Sequence, residues 1–445
     1  MDTDELRRRI HDDMPRTVDE LGRLVRIPSI GYPGYDPANV RASGEATRDI
    51  LADAGFDGVR LLELGDGHPA VFGERRGPEG SPTVLLYAHH DVQPEGDGTA
   101  WTTPPFEPEV RDGRMYGRGA ADDKSGIVIH AAAMRAVGDQ LRCSVKVVVE
   151  GEEECSTAHL PDLVHGNGDL LRADVAFVAD GGNYRTGVPT IGTSVRGVTD
   201  CVVQVDVLPQ AQHSGSFGGP IPDAITSLAR MLATLHTDDG DVAIGGLHRF
   251  AWQGTSIPED EFRAEAGVFP EVQMIGTGPL TDRLLSKPAV AVLGFDAPRV
   301  SESSNQIVPT ARARVSLRLA PGQDASAARD ALVRHLEAAA PWGVRVTIDA
   351  AEAGMGYLVD PTTAAYGATV RALSEAFDGK DVVAMGSGGS IPLVPMLAET
   401  FPGIEVLIVG AGDDRSNVHS IDESVDLEDL ERMIVAESLF LLDPS

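Results

Sequence analysis

The chain has 445 residues, 42% of them hydrophobic and 24% charged, and 68 acidic against 37 basic side chains leave a formal net charge of −31. That is the composition of a folded globular chain with room for two or three domains, and its charge makes nucleic acid and anionic membrane unfavourable partners. No apolar run approaches the ~20 residues that cross a bilayer, the N-terminus shows no charged region followed by an apolar one, and Cys143, Cys155 and Cys201 lack CxxC spacing, so a reduced, cytoplasmic compartment is expected.

The first 30 residues read as an amphipathic helix with apolar positions at Leu6, Ile10, Leu21, Leu24 and Val25. Short apolar, β-branched runs follow at Thr83–Ala88, Val145–Val149, Val175–Ala179 and Glu405–Val409, and each reads as a buried strand. Helical patterns cover Ser125–Val137 and Pro361–Phe377. This alternation predicts an α/β domain whose sheet is largely parallel and flanked by helices. The middle of the chain reads differently: a strand at Thr199–Val207, a helix at Ile221–Leu235, a long polar stretch, then strands at Ala311–Leu319 and Val344–Ile348 around a helix at Ala325–Ala339. It is expected to be an inserted α+β domain, residues 194–354, within a domain built from 1–193 and 355–445.

Chemistry collects at the ends of the expected strands, where ligands bind in open α/β sheets. The first strand ends in His89-His90-Asp91, the second in Glu150-Gly151-Glu152-Glu153-Glu154 and the third in Asp180; His419 follows the fourth after a Gly-rich loop. Between the first two strands, Gly117-Arg118-Gly119-Ala120-Ala121-Asp122-Asp123-Lys124 opens a helix. Singly, each piece has an ordinary structural explanation, such as a capping aspartate or a solvated acidic loop. Together they put several carboxylates and two imidazoles at one edge of a sheet, where a divalent cation would offset the repulsion. Imidazole with carboxylate suits zinc, manganese or cobalt better than calcium.

The order of these motifs resembles the M20 metallopeptidase family over nearly the whole chain. Tyr87 to Pro94 is similar to the family's first motif, Gly117 to Lys124 to its second and Glu150 to Glu154 to its third; Arg196-Gly197, His213-Ser214-Gly215, Arg318 to Gln323, Gly388 to Pro392 and Asn417-Val418-His419 follow in family order. The resemblance implies two divalent ions, zinc with manganese or cobalt as alternatives, bridged by Asp122. It gives one ion His89 and Asp180, and the other Glu154 and His419. It implies Glu153 as general base for a two-metal-activated water, Asp91 as the partner that orients His89, and a cis peptide bond between Asp122 and Asp123. The inserted domain becomes a lid through which a homodimer forms. His213 then stabilises the oxyanion in a neighbouring subunit's site, Arg318 binds the substrate carboxylate, and Asn305, Gly389 and Ser390 are further substrate-site candidates.

The long lid, with Pro288 to Phe295 leading into Asn305 and Arg318, resembles the dipeptidase-type branch. Hydrolysis of dipeptides or short peptides is therefore expected, with an N-acyl amino acid deacylase as the alternative and a non-catalytic metal-binding protein as a second. Departures from the family pattern are Ala88 and His90 around the first histidine, Cys155-Ser156-Thr157 after the Glu-Glu pair, and Ser387 ahead of Gly388. The segment from Gly117 lacks the final glycine of a dinucleotide fingerprint, and no G-x-S-x-G nucleophile elbow occurs.

Overall fold

A computed structural model describes residues 2–351 and 353–444; Met1, Glu352 and Ser445, which fall within the expected domain ranges, lie outside the described residues. The chain divides into two compact units.

The first unit comprises residues 1–193, 359–385 and 391–445. Its sheet runs in the order Asp57–Leu62, Ala70–Arg75, Ser144–Glu150, Thr83–His89, Val175–Val178, Glu405–Ile408, Thr190–Val195. The central strands pair in parallel and the edges antiparallel. This agrees with the expected α/β class and adds antiparallel edge strands that the periodicity did not single out. Val84 to Ala88, Val147 to Val149 and Ala176 to Val178 are almost wholly buried, as continuous apolar runs in a sheet covered on both faces must be. Helix Thr3–Val25 buries Leu6, Ile10, Leu21, Leu24 and Val25 and packs on helices Lys124–Val137 and Leu427–Leu442. The parallel register pairs His89 with Glu150 and Tyr87 with Val178, and Val178 with Ile408. Four strands therefore release their loops at the same edge.

The second unit comprises residues 194–358 and 386–390. Residues 355–358 and 386–390, expected in the α/β domain, cluster here because Tyr357 and Leu358 pair with Val195 and Ser194, and Arg196 N–H donates to the Gly389 carbonyl at 2.8 Å. An antiparallel sheet in the order Ala289–Asp296, Thr310–Leu319, Gly197–Asp206, Arg345–Ala350 packs against helices Ala224–Ala233 and Ala325–Ala338, which Asp223 and Asp324 cap. Strand Gly197–Asp206 alternates buried with half-buried positions along its length, the period-two signature of a sheet covered on one face. Strand Ala289–Asp296 lies in a region that sequence periodicity left as irregular, because as an edge strand it exposes most of its side chains.

Candidate metal centre

Except for His419, which stands in a longer loop, each chemical group of the first unit sits at or just beyond a strand end or opens a helix. His89 is the last residue of its strand, and its amide donates to Asp123 Oδ2 at 3.2 Å. His89 Nδ1 lies 3.1 Å from the Asp91 main-chain carbonyl, which leaves Nε2 as the nitrogen free for a cation. That Nε2 lies 2.9 Å from Asp122 Oδ1 and 3.8 Å from Asp180 Oδ1. The other oxygen of Asp122 lies 3.0 Å from His419 Nε2, and the same nitrogen is 3.2 Å from Glu154 Oε2. Asp122 thus presents one carboxylate oxygen to each of two donor sets, and the Asp122–Asp123 peptide bond is cis.

Two groups of donor atoms lie within 4.8 Å of one another: His89, Asp123 and Asp180, and Asp122, Glu154 and His419. Proximity alone would put Asp123 in the first group. Its oxygens, however, accept the amides of His89 and of Gly126, at 3.2 and 3.3 Å, as the cap of helix Lys124–Val137. Asp122 Oδ1 is the better-placed donor beside His89. Among the described residues Glu153 belongs to neither group.

The expected partner of His89 is the Asp91 carboxylate, yet Nδ1 is 3.5 Å from Asp91 Oδ1 and closer to the carbonyl. The Asp91 carboxylate also accepts the amides of Glu153 at 3.2 Å and Glu154 at 3.0 Å. A carboxylate that receives two consecutive amides fixes the turn that presents both glutamates. His90 takes no part: it is buried, its Nε2 donates to the Pro69 carbonyl at 2.9 Å, and burial pulls its pKa down to about 4.

Electrostatics supply the test of whether cations fit. Burial, reinforced by the repulsion of Asp180, pushes the Glu153 carboxyl well above the usual range. Burial also raises Asp180, with Asp123 and Asp122 adding to the shift against the opposing pull of His89. Against the burial penalty, hydrogen bonds with His419 and His89 hold Asp122 well below it. The His419 imidazole is driven up to about 10 by its hydrogen bonds with Asp122 and Glu154. A buried set of carboxylates and imidazoles that perturb one another this strongly is the environment a divalent cation neutralises, and mixed N and O donors match zinc, manganese or cobalt. The residues fit.

His419 stands in a loop where Asn417, His419 and Asp422 all have positive φ, 51°, 62° and 54°. Non-glycine residues adopt that region at a cost, so the surroundings must impose it. Asp422 accepts from Thr102 N at 2.8 Å and Oγ1 at 2.7 Å. Buried Arg114 grips Asp413 with two hydrogen bonds, 2.7 and 2.8 Å, and the Ser424 carbonyl at 3.1 Å, bracketing the loop from both ends.

The structure also shows partners that sequence reasoning passed over. Gln93 Nε2 donates to Glu154 Oε2 at 2.8 Å, and the Tyr32 hydroxyl donates to the Glu154 carbonyl at 2.6 Å. Gln93 lay inside a motif already singled out; Tyr32 had no local signal.

The remaining candidates belong to the second unit. His213 pairs with Gln306 across a two-stranded ribbon, and Ser214 N–H donates to the Asn305 carbonyl at 3.0 Å, which brings His213 and Asn305 together. His213 Nδ1 accepts the amides of Gly215 and Ser216 at 3.0 and 3.2 Å, so the ring proton resides on Nε2. Arg318 is half-buried, burial lowers its pKa, and its guanidinium has no hydrogen-bonding or ionic partner among the described residues. Gly389 N–H donates to the Ser387 hydroxyl at 3.0 Å, and Ser390 follows in the same loop.

A sequence profile described as peptidase family M20/M25/M40 matches residues 85–443. The chain is 34% identical over 436 residues to the cysteinylglycine-S-conjugate dipeptidase of Corynebacterium striatum, spanning 96% of this chain and 95% of that one. It is 26% identical over 381 residues to the human beta-Ala-His dipeptidase, spanning 80% and 74%. Among solved structures, the di-peptidase Dug1p of Saccharomyces cerevisiae superposes with a TM-score of 0.87 at 20% identity, over 99% of this chain and 98% of that one.

Proposed function

This chain belongs to peptidase family M20/M25/M40, and from that premise we propose that it cleaves dipeptides bearing a free C-terminal carboxylate at a centre of two divalent ions. It is a metal-dependent hydrolase acting on peptide bonds. The observation that carries the proposal is the Asp122 carboxylate, whose two oxygens face separate donor sets that each include a histidine and a further carboxylate.

We assign His89, Asp122 and Asp180 to one ion and Asp122, Glu154 and His419 to the other, with zinc the preferred metal and manganese or cobalt as substitutes. When bound, the pair supplies Lewis-acid polarisation and a nucleophile at neutral pH. Glu153 takes the proton of the attacking water and hands it to the leaving amine. Asp91 positions it by holding its amide. Nε2–H of His213 donates to the oxyanion of a neighbouring subunit's substrate. The Arg318 fork, without a partner among the described residues, binds the C-terminal carboxylate, and Asn305, Gly389 and Ser390 line the same substrate site.

The homodimer this requires is supported by strand Ala289–Asp296, an edge strand exposing Val292, Leu293 and Phe295 at 46, 61 and 42%. Such an edge is a ready template for pairing with a second copy. Cytoplasmic residence is supported by Cys143, Cys155 and Cys201, all free thiols; among the described residues no helix is long and apolar enough to cross a membrane.

The test is a panel of dipeptides and N-acyl amino acids, assayed after chelation and again after zinc, manganese or cobalt is restored. Metal-dependent cleavage of dipeptides is expected. Cleavage of the N-acyl set alone would replace the dipeptidase reading with the deacylase one, and bound metal with no turnover of either would leave a non-catalytic metal protein.

A further inference from the structure

Five segments carry the donor atoms of the metal centre, and one buried ion pair outside both donor sets joins three of them, those of His89, Asp122 and His419. The Glu423 side chain is fully buried. Its Oε2 accepts from Arg118 Nη1 at 2.7 Å and from the Gly119 amide at 3.0 Å. Its Oε1 accepts the amides of Ala121 at 3.0 Å and Asp122 at 3.1 Å. Arg118 continues the chain of contacts: Nη2 donates at 3.2 Å to the carbonyl of Pro94, in the segment that His89 opens, and the guanidinium lies 5.3 Å from the Trp101 ring centre. The main chain repeats the link, since Gly117 N–H donates to the Glu423 carbonyl at 2.9 Å and Ser424 pairs with Tyr116.

Glu423 stands four residues beyond His419, and its carboxylate holds the amide of Asp122 itself. Two segments about 300 residues apart in the chain must place Asp122 Oδ2 3.0 Å from His419 Nε2. The His419 loop cannot do this by intrinsic preference, because three of its residues sit in the left-handed region. Donor positions at a metal centre tolerate errors of about half an ångström, and the outer partners that orient ligands contribute much of the affinity.

We propose that Glu423 is a positioning residue of the metal centre, setting the separation of the shared Asp122 carboxylate from His419 through the amides of the 119–122 turn. This rests on the metal-centre reading above. Its chemistry is specific to a carboxylate. Both oxygens already accept two N–H donors each, so a glutamine, whichever way its amide turns, sets an NH₂ group against two N–H groups.

The experiment compares wild type, Glu423→Gln and Glu437→Gln by cobalt(II) titration against a competing chelator, with the visible absorption spectrum of the cobalt forms and thermal melts. Glu437 is the control: it is equally buried, pairs with His130 at 2.8 Å, and among the described residues makes no hydrogen bond to the Asp122 turn. Expected are two cobalt ions per wild-type chain, a loss of roughly 10- to 100-fold in cobalt affinity for E423Q with an altered spectrum, and near wild-type affinity and spectrum for E437Q despite a lower melting temperature. Wild-type protein that takes up no cobalt overturns the metal-centre reading and this inference with it. Wild type that binds two ions, alongside E423Q with unchanged affinity and spectrum, overturns the inference alone. Should E423Q fail to fold, Glu423→Asp carries the test, because it keeps the charge but is too short to reach both pairs of donors. Cobalt affinity lowered about threefold or more then supports the proposal, and a smaller change overturns it.

Discussion

Gln93 Nε2 donates a 2.8 Å hydrogen bond to Glu154 Oε2. That oxygen also lies 3.2 Å from His419 Nε2, so the amide fixes which way the carboxylate faces. Gln93→Leu is expected to remove this constraint with little loss of volume and to weaken binding of the ion assigned to Glu154 and His419 by about 10-fold. Metal content after graded dialysis checks it; full retention would make the hydrogen bond incidental.

The proposed mechanism gives Glu153 and Asp122 different roles. Glu153→Ala is expected to cut kcat by at least 10²-fold, the scale of a lost general base, while both metals stay bound. Asp122→Ala removes the carboxylate that faces both donor sets and is expected to lose metal and activity together. Elemental analysis of the purified, folded variants decides, and a metal-free Glu153 variant would show that Glu153 and Glu154 have been given each other's tasks.

Among the described residues the Arg318 guanidinium has no hydrogen-bonding or ionic partner to release, and it is the proposed binder of the substrate carboxylate. Arg318→Lys is expected to raise KM for dipeptides by about 10-fold or more while kcat changes less, since a point charge cannot reproduce a bidentate fork. Amidated dipeptides, which lack the carboxylate, should be poor substrates of wild type and insensitive to the substitution. An equal loss on both substrate classes contradicts the assignment.

His213 offers its Nε2–H outward because two amides occupy Nδ1. His213→Ala is expected to lower kcat by about 10²- to 10³-fold, the range for one oxyanion donor. If the histidine serves the neighbouring subunit, co-expressing His213→Ala with Glu153→Ala chains should restore about a quarter of wild-type activity, because each hybrid dimer regains one complete site. Absence of any recovery in isolated hybrid dimers would place His213 in its own subunit's site.

Burial pushes the thiols of Cys143 and Cys201 up to about 12. The thiolate is the reactive form, and at pH 8 it is about one part in 10⁴ of each. Neither thiol is expected to react with Ellman's reagent until denaturant is added, and the signal in native protein should not exceed one thiol per chain. Rapid native labelling of either, located by peptide mapping, would show that the segments burying them open.

The sequence alone determined the class of fold and the kinds of atoms at the site. Short, β-branched, continuously apolar runs read as strands buried on both faces, and residues directly following such strands emerge at the sheet's carboxyl edge. His89, Glu153, Glu154 and Asp180 were readable for that reason. The partnerships were not readable, because they depend on where distant segments meet. His89 and Asp122 are 33 residues apart, Asp122 and His419 about 300, and no local period relates them. Asp91 and Asp123 show the same limit: each is an aspartate beside a metal-type residue, but only tertiary structure committed the Asp91 carboxylate to the amides of Glu153 and Glu154 and that of Asp123 to a helix cap. Glu423 is the fullest case, an acid in an acidic loop until the fold wraps four N–H donors around it. Residue type and strand position are local properties of the chain; which donor a buried carboxylate receives is decided by packing.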